Sequence, residues 1–245
     1  MNAQRIALRQ RRDLSEIIQA AFNLYQQNFA PLFLIAAVVI PLGVASAALQ
    51  GAVDDSAGAA AAVGGIAILQ VGVNHLAGAA IITGLLTIDR SQEPTFSTAY
   101  DVAFERFWTL LGGVLRAGII VVLLLITIIG IPWAIQRAVR WLFVEQAIII
   151  DGSTASESLS RSAAAVEGRW WRTLGVGLVI GIIVTVPASI IAGVFSLAPA
   201  LVAGTVSSIV NALVLPFAIT CMTLLYMDLQ VRKESDDRTA SDAPA

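Results

Sequence analysis

Apolar runs separated by short polar stretches dominate the chain. Six runs reach the ~20 residues that a membrane-crossing helix needs: 29–50, 61–88, 108–131, 132–150, 171–195 and 201–227. None alternates with the period of a strand, and lipid admits only segments that bond all their own backbone groups. The pattern therefore predicts an all-α polytopic membrane protein with six transmembrane helices. The third and fourth runs meet at Gly130 and Pro132 with almost no loop, which predicts a tight hairpin. Pro41, Pro187 and Pro216 lie inside runs and predict kinks.

Three shorter segments show the 3.6-residue period of an amphipathic helix. They carry Leu14, Ile18, Ala21, Tyr25 and Phe29; Tyr100, Ala103, Phe104, Phe107 and Trp108; and Leu159, Ala163, Val166 and Trp170. Each ends in aromatics suited to the membrane–water interface. The even-numbered runs all stop at an aspartate, in LLTID (85–89), AIIID (147–151) and LLYMD (224–228). After the first two, DRSQEPTFS and DGSTAS offer N-caps for the following helix. The chain thus reads as three copies of one unit, at about 13–89, 97–151 and 154–228, each an interfacial helix, a span out and a span back. Such parallel repeats predict a pseudo-threefold bundle, and together the units form one membrane domain over 1–228. Residues 229–245 are polar throughout their second half and predict a disordered tail.

Composition strengthens the membrane reading. Of 245 residues, 57% are hydrophobic and only 13% charged, against about a quarter charged in soluble domains; mean hydropathy is +0.81. A net charge of −2 offers no sign of a nucleic-acid partner. The distribution of charge says more. Arg5, Arg9, Arg11 and Arg12 precede the first run, and Arg90 and Arg106 follow the second. Arg161, Arg169 and Arg172 surround the start of the fifth, while Arg232, Lys233 and Arg238 follow the sixth. The opposite connectors, GAVDDSAG and the link near Leu197, hold no basic residue. The positive-inside rule places both termini in the cytoplasm and predicts a multi-pass protein of the cytoplasmic (inner) membrane. The opening MNAQRIALRQRRDLSE is polar for too long to be a secretory signal.

Polar side chains inside the runs are the candidate chemistry. Asn74, His75, Arg116, Arg137, Arg140 and Glu145 form an intramembrane polar set, with Asn211 on the sixth run. At ~1.5 Å per residue, straight spans place Glu145 ~8 Å, Arg116 ~12 Å, Arg140 ~15 Å and Arg137 ~20 Å from the polar ends of their helices. Similar depth on adjacent helices predicts an Arg116–Glu145 ion pair. An unpaired arginine at mid-bilayer costs about 2.5–3.5 kcal/mol, so this set either lines a shared interior or consists of one staple plus snorkelling arginines. His75, the only histidine, has no sequence neighbour for a metal site and is expected to bond a neighbouring helix. Cys221, the sole cysteine, forms no intrachain disulfide and reads as a small buried hydrophobe. Gly65 with Ala61, Gly175 with Gly181, and Gly204 with Ser207 are candidates for close helix packing. Asp89, Asp151 and Asp228 read as helix-end residues exposed to water rather than a metal site.

Residues 140–175, RWLFVEQAIIIDGSTASESLSRSAAAVEGRWWRTLG, resemble the membrane-domain family named for glycerophosphoryl diester phosphodiesterases and related six-helix bacterial families. Leu159, Arg161, Ser162, Gly168, Trp171, Arg172 and Gly175 carry the resemblance, together with NLYQQNFAPLF and LLYMDLQVRKE. It implies a helical domain in the cytoplasmic membrane and supplies no catalytic residue, since the phosphodiesterase activity of such proteins belongs to a separate soluble barrel. The sequence also lacks HExxH, GxSxG, Walker and EF-hand motifs. The expectation is a non-enzymatic scaffold or lipid-contacting module without cofactor or metal. Its partners would be membrane lipids, with Arg12, Arg106, Arg161, Arg169 and Arg172 meeting anionic headgroups. The second reading is a small transporter or channel for an anionic solute, using the buried Arg/His/Asn layer.

Overall fold

The computed structural model describes residues 7–52 and 57–241, and among these it contains helices and no strand. The sequence-predicted features at Arg5, in the middle of the GAVDDSAG connector and in the last four residues lie outside them. The helices are α1 (Leu14–Gln27), α2 (Phe29–Ala36), α3 (Val39–Ala52), α4 (Ala57–Asp89), α5 (Phe96–Glu105), α6 (Phe107–Leu125), α7 (Ile131–Arg140), α8 (Val144–Ile150), α9 (Ala155–Val166), α10 (Trp170–Phe195) and α11 (Ala200–Ser241). A short 3-10 turn, Ile128–Gly130, joins α6 to α7. Four of them, α4, α6, α10 and α11, are long and apolar enough to cross a membrane. The first expected span is instead a pair, α2 and α3, bent by 41°. The fourth is interrupted at Trp141–Phe143 and divides into α7 and α8.

Both interruptions have a local cause and a tertiary repair. Pro41 has no N–H to give the Ala37 carbonyl, so Ile40 N–H takes that acceptor at 3.0 Å and the helix breaks. The Ile35 carbonyl accepts from the Tyr100 hydroxyl of α5 at 2.7 Å; burial raises the Tyr100 phenol to about 12, keeping it a donor. At the second break, Ser162 of α9 serves both sides: its hydroxyl donates to the Arg140 carbonyl (2.8 Å) and accepts from Phe143 N–H (3.1 Å). Near Pro216 of α11, the Leu213 carbonyl accepts from the Tyr25 hydroxyl of α1 at 2.7 Å. Each amphipathic helix thus supplies a hydroxyl to a backbone carbonyl of an apolar helix, two of them at the breaks.

The caps of these helices follow the sequence. Thr154 and Glu157 form a capping box on α9, Asp13 and Glu16 one on α1, and Thr95 caps α5. The buried faces are rotated from the expected ones. Helix α1 buries Ile17, Ala21 and Leu24 while Phe29 is exposed; α5 buries Ala99, Tyr100 and Ala103 while Phe104 and Trp108 are exposed. Helix α9 buries Ser158, Ser162, Ala165 and Val166. Residues 229–241, expected to be disordered, continue α11.

The closest helix crossing is α3 against α11. A Cβ on Gly43 would overlap Ser208, and one on Gly204 would overlap Ala47. Each helix therefore offers two small residues four apart, which lets the backbones approach. Ser208, not Ser207, is the buried partner. Gly65, Gly175 and Gly181 have open space where a side chain would stand, so they do not pack as the sequence suggested. Gly204→Val is expected to cost about 1–3 kcal/mol by overpacking, whereas Gly175→Val stays near neutral, in detergent unfolding curves. Ser162→Ala, which leaves an N–H and a carbonyl unbonded, is expected to cost about 1–3 kcal/mol in the same assay, and Tyr100→Phe less.

Candidate functional site

Charged side chains gather at the end of the bundle where α4, α8 and α11 reach their aspartates, here called the polar end. Asp228 is its centre and is fully buried, contrary to the water-exposed position expected for it. Its carboxylate accepts from Arg12 backbone N–H (2.8 Å), Arg232 Nε (2.7 Å) and Arg172 Nη2 (3.0 Å). The same two guanidinium groups also donate to the Arg12 carbonyl. Arg12 turns its own guanidinium back onto the carbonyls of Leu8 and Ala7. Burial pulls the Arg12 pKa down, opposed by Asp228, Glu16 and Asp89.

The other two aspartates behave differently from each other. Asp89 is exposed and accepts from Leu8 N–H at 3.1 Å. Asp151 is half-buried and accepts from the Tyr226 hydroxyl (2.5 Å) and Gln230 Nε2 (3.2 Å), with Arg161 4.0 Å away. Asp89 and Asp228 together fasten the segment 7–13 across the polar end.

The intramembrane set separates into parts. His75 Nδ1 bonds Glu145 Oε1, so the expected Arg116–Glu145 pair does not form. Arg116 is exposed on α6: the half-buried Val114 and Ala117 face α7 and α8 and leave it outside. Asn211 Nδ2 donates to Asn74 Oδ1 (3.0 Å), and Asn74 Nδ2 to the Gln70 carbonyl (2.8 Å). Arg137 is exposed and lies over the Trp141 ring at 5.4 Å. Arg140 stands beside α9, joined through Ser162, and not midway along a straight span as the uninterrupted reading required. The six residues therefore do not line one interior.

The arginines expected at lipid headgroups are largely engaged within the chain. Arg12 and Arg172 belong to the Asp228 centre, and Arg169 pairs with Asp236. Arg106 reaches the Gly152 carbonyl at 3.4 Å. Sequence reasoning missed Asp228 as a buried acceptor and Ser162 as a backbone partner. The repeated terminal aspartate and the Leu-x-Arg-Ser step were the available signals.

Three cavities border these groups. One of about 300 Å³ runs between α6 and the α7–α8 break, walled by Val114, Val121, Ala138 and Leu142, with His75 and Glu145 at its edge. One of about 330 Å³ between α10 and α11 carries Thr185, Ser189, Ser207 and Asn211. An apolar groove of about 470 Å³ lies under α1, walled by Ile18, Phe22, Ile183, Pro187, Leu213 and Phe217. Among the described residues, no three metal-ligating side chains converge.

Asp228→Asn keeps the shape and removes the charge that two guanidinium groups face. Breaking one partner of a buried pair costs about 3–5 kcal/mol, so the variant is expected to lower the detergent unfolding midpoint sharply. Arg9→Gln, at the exposed Arg9–Glu234 pair, is expected to change it by less than ~1 kcal/mol.

No curated protein and no solved structure matches the chain. One family does, described as a domain of unknown function, DUF7847, over residues 107–229. That segment holds α6 to α10 and most of α11, including the Ser162 bridge, the His75 partner Glu145, and Asp228 with its partner Arg172, whereas Arg12 and Arg232 lie outside it. With half of its length matched, the chain belongs to the DUF7847 family.

Proposed function

We infer that this is a non-enzymatic, lipid-contacting membrane domain. It crosses the cytoplasmic membrane six times, as α2–α3, α4, α6, α7–α8, α10 and α11, with its polar end in the cytoplasm. The observation that carries the reading is the internal pairing of its buried charge: Asp228 is consumed by Arg12, Arg172 and Arg232, and Glu145 by His75. A passage for an anionic solute needs cations gathered on one water-filled path, and the arginines of the apolar segments do not converge: Arg116 and Arg137 face outward, and Arg140 stands beside α9 at the polar end. Lipid suits the exterior. Helix α10 is largely unburied along its apolar length, and the groove under α1 has apolar walls suited to an acyl chain. Trp108 and Trp171 are 78% and 79% exposed near the polar end, where indole rings favour the headgroup region.

The threefold repeat is supported by the order of the hydroxyl donors. Helix α1 of the first unit serves α11 of the third; α5 of the second serves α2 of the first; α9 of the third serves α7 of the second. Arg161, exposed on α9, and the surface around Trp171 are the anionic-lipid contacts.

The transporter reading draws on one observation, the hydroxyl-bearing cavity beside Asn211. In a Cys221→Ser background, single cysteines at Ser189 and Ala117 test it with membrane-impermeant thiol reagents. Both are expected to stay unlabelled while Ser160→Cys, exposed on α9, reacts from the cytoplasmic side. Labelling at Ser189→Cys from either side would put water in the bundle and replace this reading with transport. Reaction of Ser160→Cys only from outside would reverse the orientation.

A further inference from the structure

A fourth cavity, of about 260 Å³, opens beside the first turn of α10 and is lined by Gln136, Arg140, Val166, Glu167, Gly168 and Trp170. It brings one cation, one anion and one indole to a single small space. Arg140 and Glu167 share that space without pairing with each other, and neither has an ion-pair partner among the described residues. Each of the other groups is held in place. The Ser162 bond to the Arg140 carbonyl anchors the last turn of α7. The Trp170 indole N–H donates to the Gln136 carbonyl at 3.5 Å. Gly168 adopts φ +75°, a left-handed turn natural to glycine, and so sets Glu167 and Trp170 on the same cavity. The cavity lies at the polar end, because the adjacent Arg169 and Arg172 pair with Asp236 and Asp228. Its neighbour Trp171 is exposed.

We propose that this cavity binds the headgroup of a zwitterionic, amine-bearing phospholipid, of the phosphoethanolamine type. The proposal rests on the lipid-contacting reading and names its ligand. A guanidinium offers a phosphate ester a planar pair of donors, which is the role of Arg140. An ammonium group is matched by the Glu167 carboxylate and by the Trp170 face. The cavity, at about 260 Å³, is smaller than the roughly 300 Å³ at which drug-sized ligand sites begin, and suits a headgroup rather than a whole lipid. Glu167 also sets selectivity: its carboxylate repels an anionic headgroup that brings no amine to meet it. This separates the site from the scattered arginines, which attract any anionic surface.

The test is lipid retention by the full chain. The protein is placed in nanodiscs of equal phosphatidylethanolamine and phosphatidylglycerol, extracted into mild detergent, and the bound lipids are counted by native mass spectrometry. Phosphatidylethanolamine is expected to be retained over phosphatidylglycerol by about tenfold, the effect of one charge-assisted contact. Arg140→Gln is expected to lower retention of both lipids at this site. Glu167→Gln is expected to remove the preference by losing phosphatidylethanolamine and admitting phosphatidylglycerol. Arg116→Gln, exposed on α6 and remote from the cavity lining, is expected to leave the ratio unchanged. Equal retention of the two lipids, or a ratio indifferent to Glu167→Gln, overturns the proposal while leaving a lipid-contacting protein in place. Retention of no phospholipid at all overturns the lipid-contacting reading with it. Soluble O-phosphoethanolamine at micromolar concentration displacing the lipid would overturn the membrane source and make the ligand a free metabolite.

Discussion

A carbonyl released inside an apolar helix has no water to turn to, and the whole arrangement follows from how this chain meets that constraint. Two of its long apolar runs are broken. Each break is met by a hydroxyl carried on a short amphipathic helix, Tyr100 at Ile35 and Ser162 at Arg140 and Phe143, and Tyr25 of a third such helix bonds the Leu213 carbonyl. These bonds do two things. They remove the desolvation penalty of an unbonded peptide group, and they fix where each amphipathic helix docks. The bonded carbonyls are therefore attachment points, and α1, α5 and α9 are held by them as well as by their apolar faces.

The polar end repeats the same logic with charge. Asp228 sits at full burial where an isolated carboxylate would be strongly disfavoured. Two guanidinium groups and a backbone amide converge on it, and both guanidinium groups also bind the carbonyl of Arg12. The segment 7–13 is thereby clamped between α11 and the Asp89 end of α4. Arginine suits this junction because its fork can bridge a carboxylate and a carbonyl at once. The cost is that Arg12 and Arg172 are withdrawn from the surface, leaving the outward-facing chemistry to Arg161, Arg137, Arg140 and the exposed indoles.

Much of this was legible in the residue pattern, and the parts that were not share a cause. Helical character, the four long apolar helices, the short join at Gly130, the break at Pro41 and the caps at Thr95 and Thr154 all depend on neighbours in sequence. Periodicity, a missing N–H or a side chain three residues from its acceptor is visible there. The burial of Cys221 and the interhelical bond of His75 were also foreseeable, because an apolar helix leaves such groups few alternatives. The rotation of the amphipathic helices was not. Ile17 rather than Ile18 faces inward on α1, and α9 turns Ser162 inward, to the carbonyl and amide left at the break between α7 and α8.

Sequence alone thus determined what kind of chain this is: apolar helices punctuated by aspartates, with basic residues gathered on one side. Tertiary structure decided which charges meet. Glu145 takes His75 and not Arg116, since the half-buried Val114 and Ala117 put Arg116 on the outside of α6. Asp228 is buried although Asp89, in the same sequence setting, is exposed. Pairing depends on the rotation and break points of helices distant in sequence, and those are set by packing and by backbone groups that must find partners.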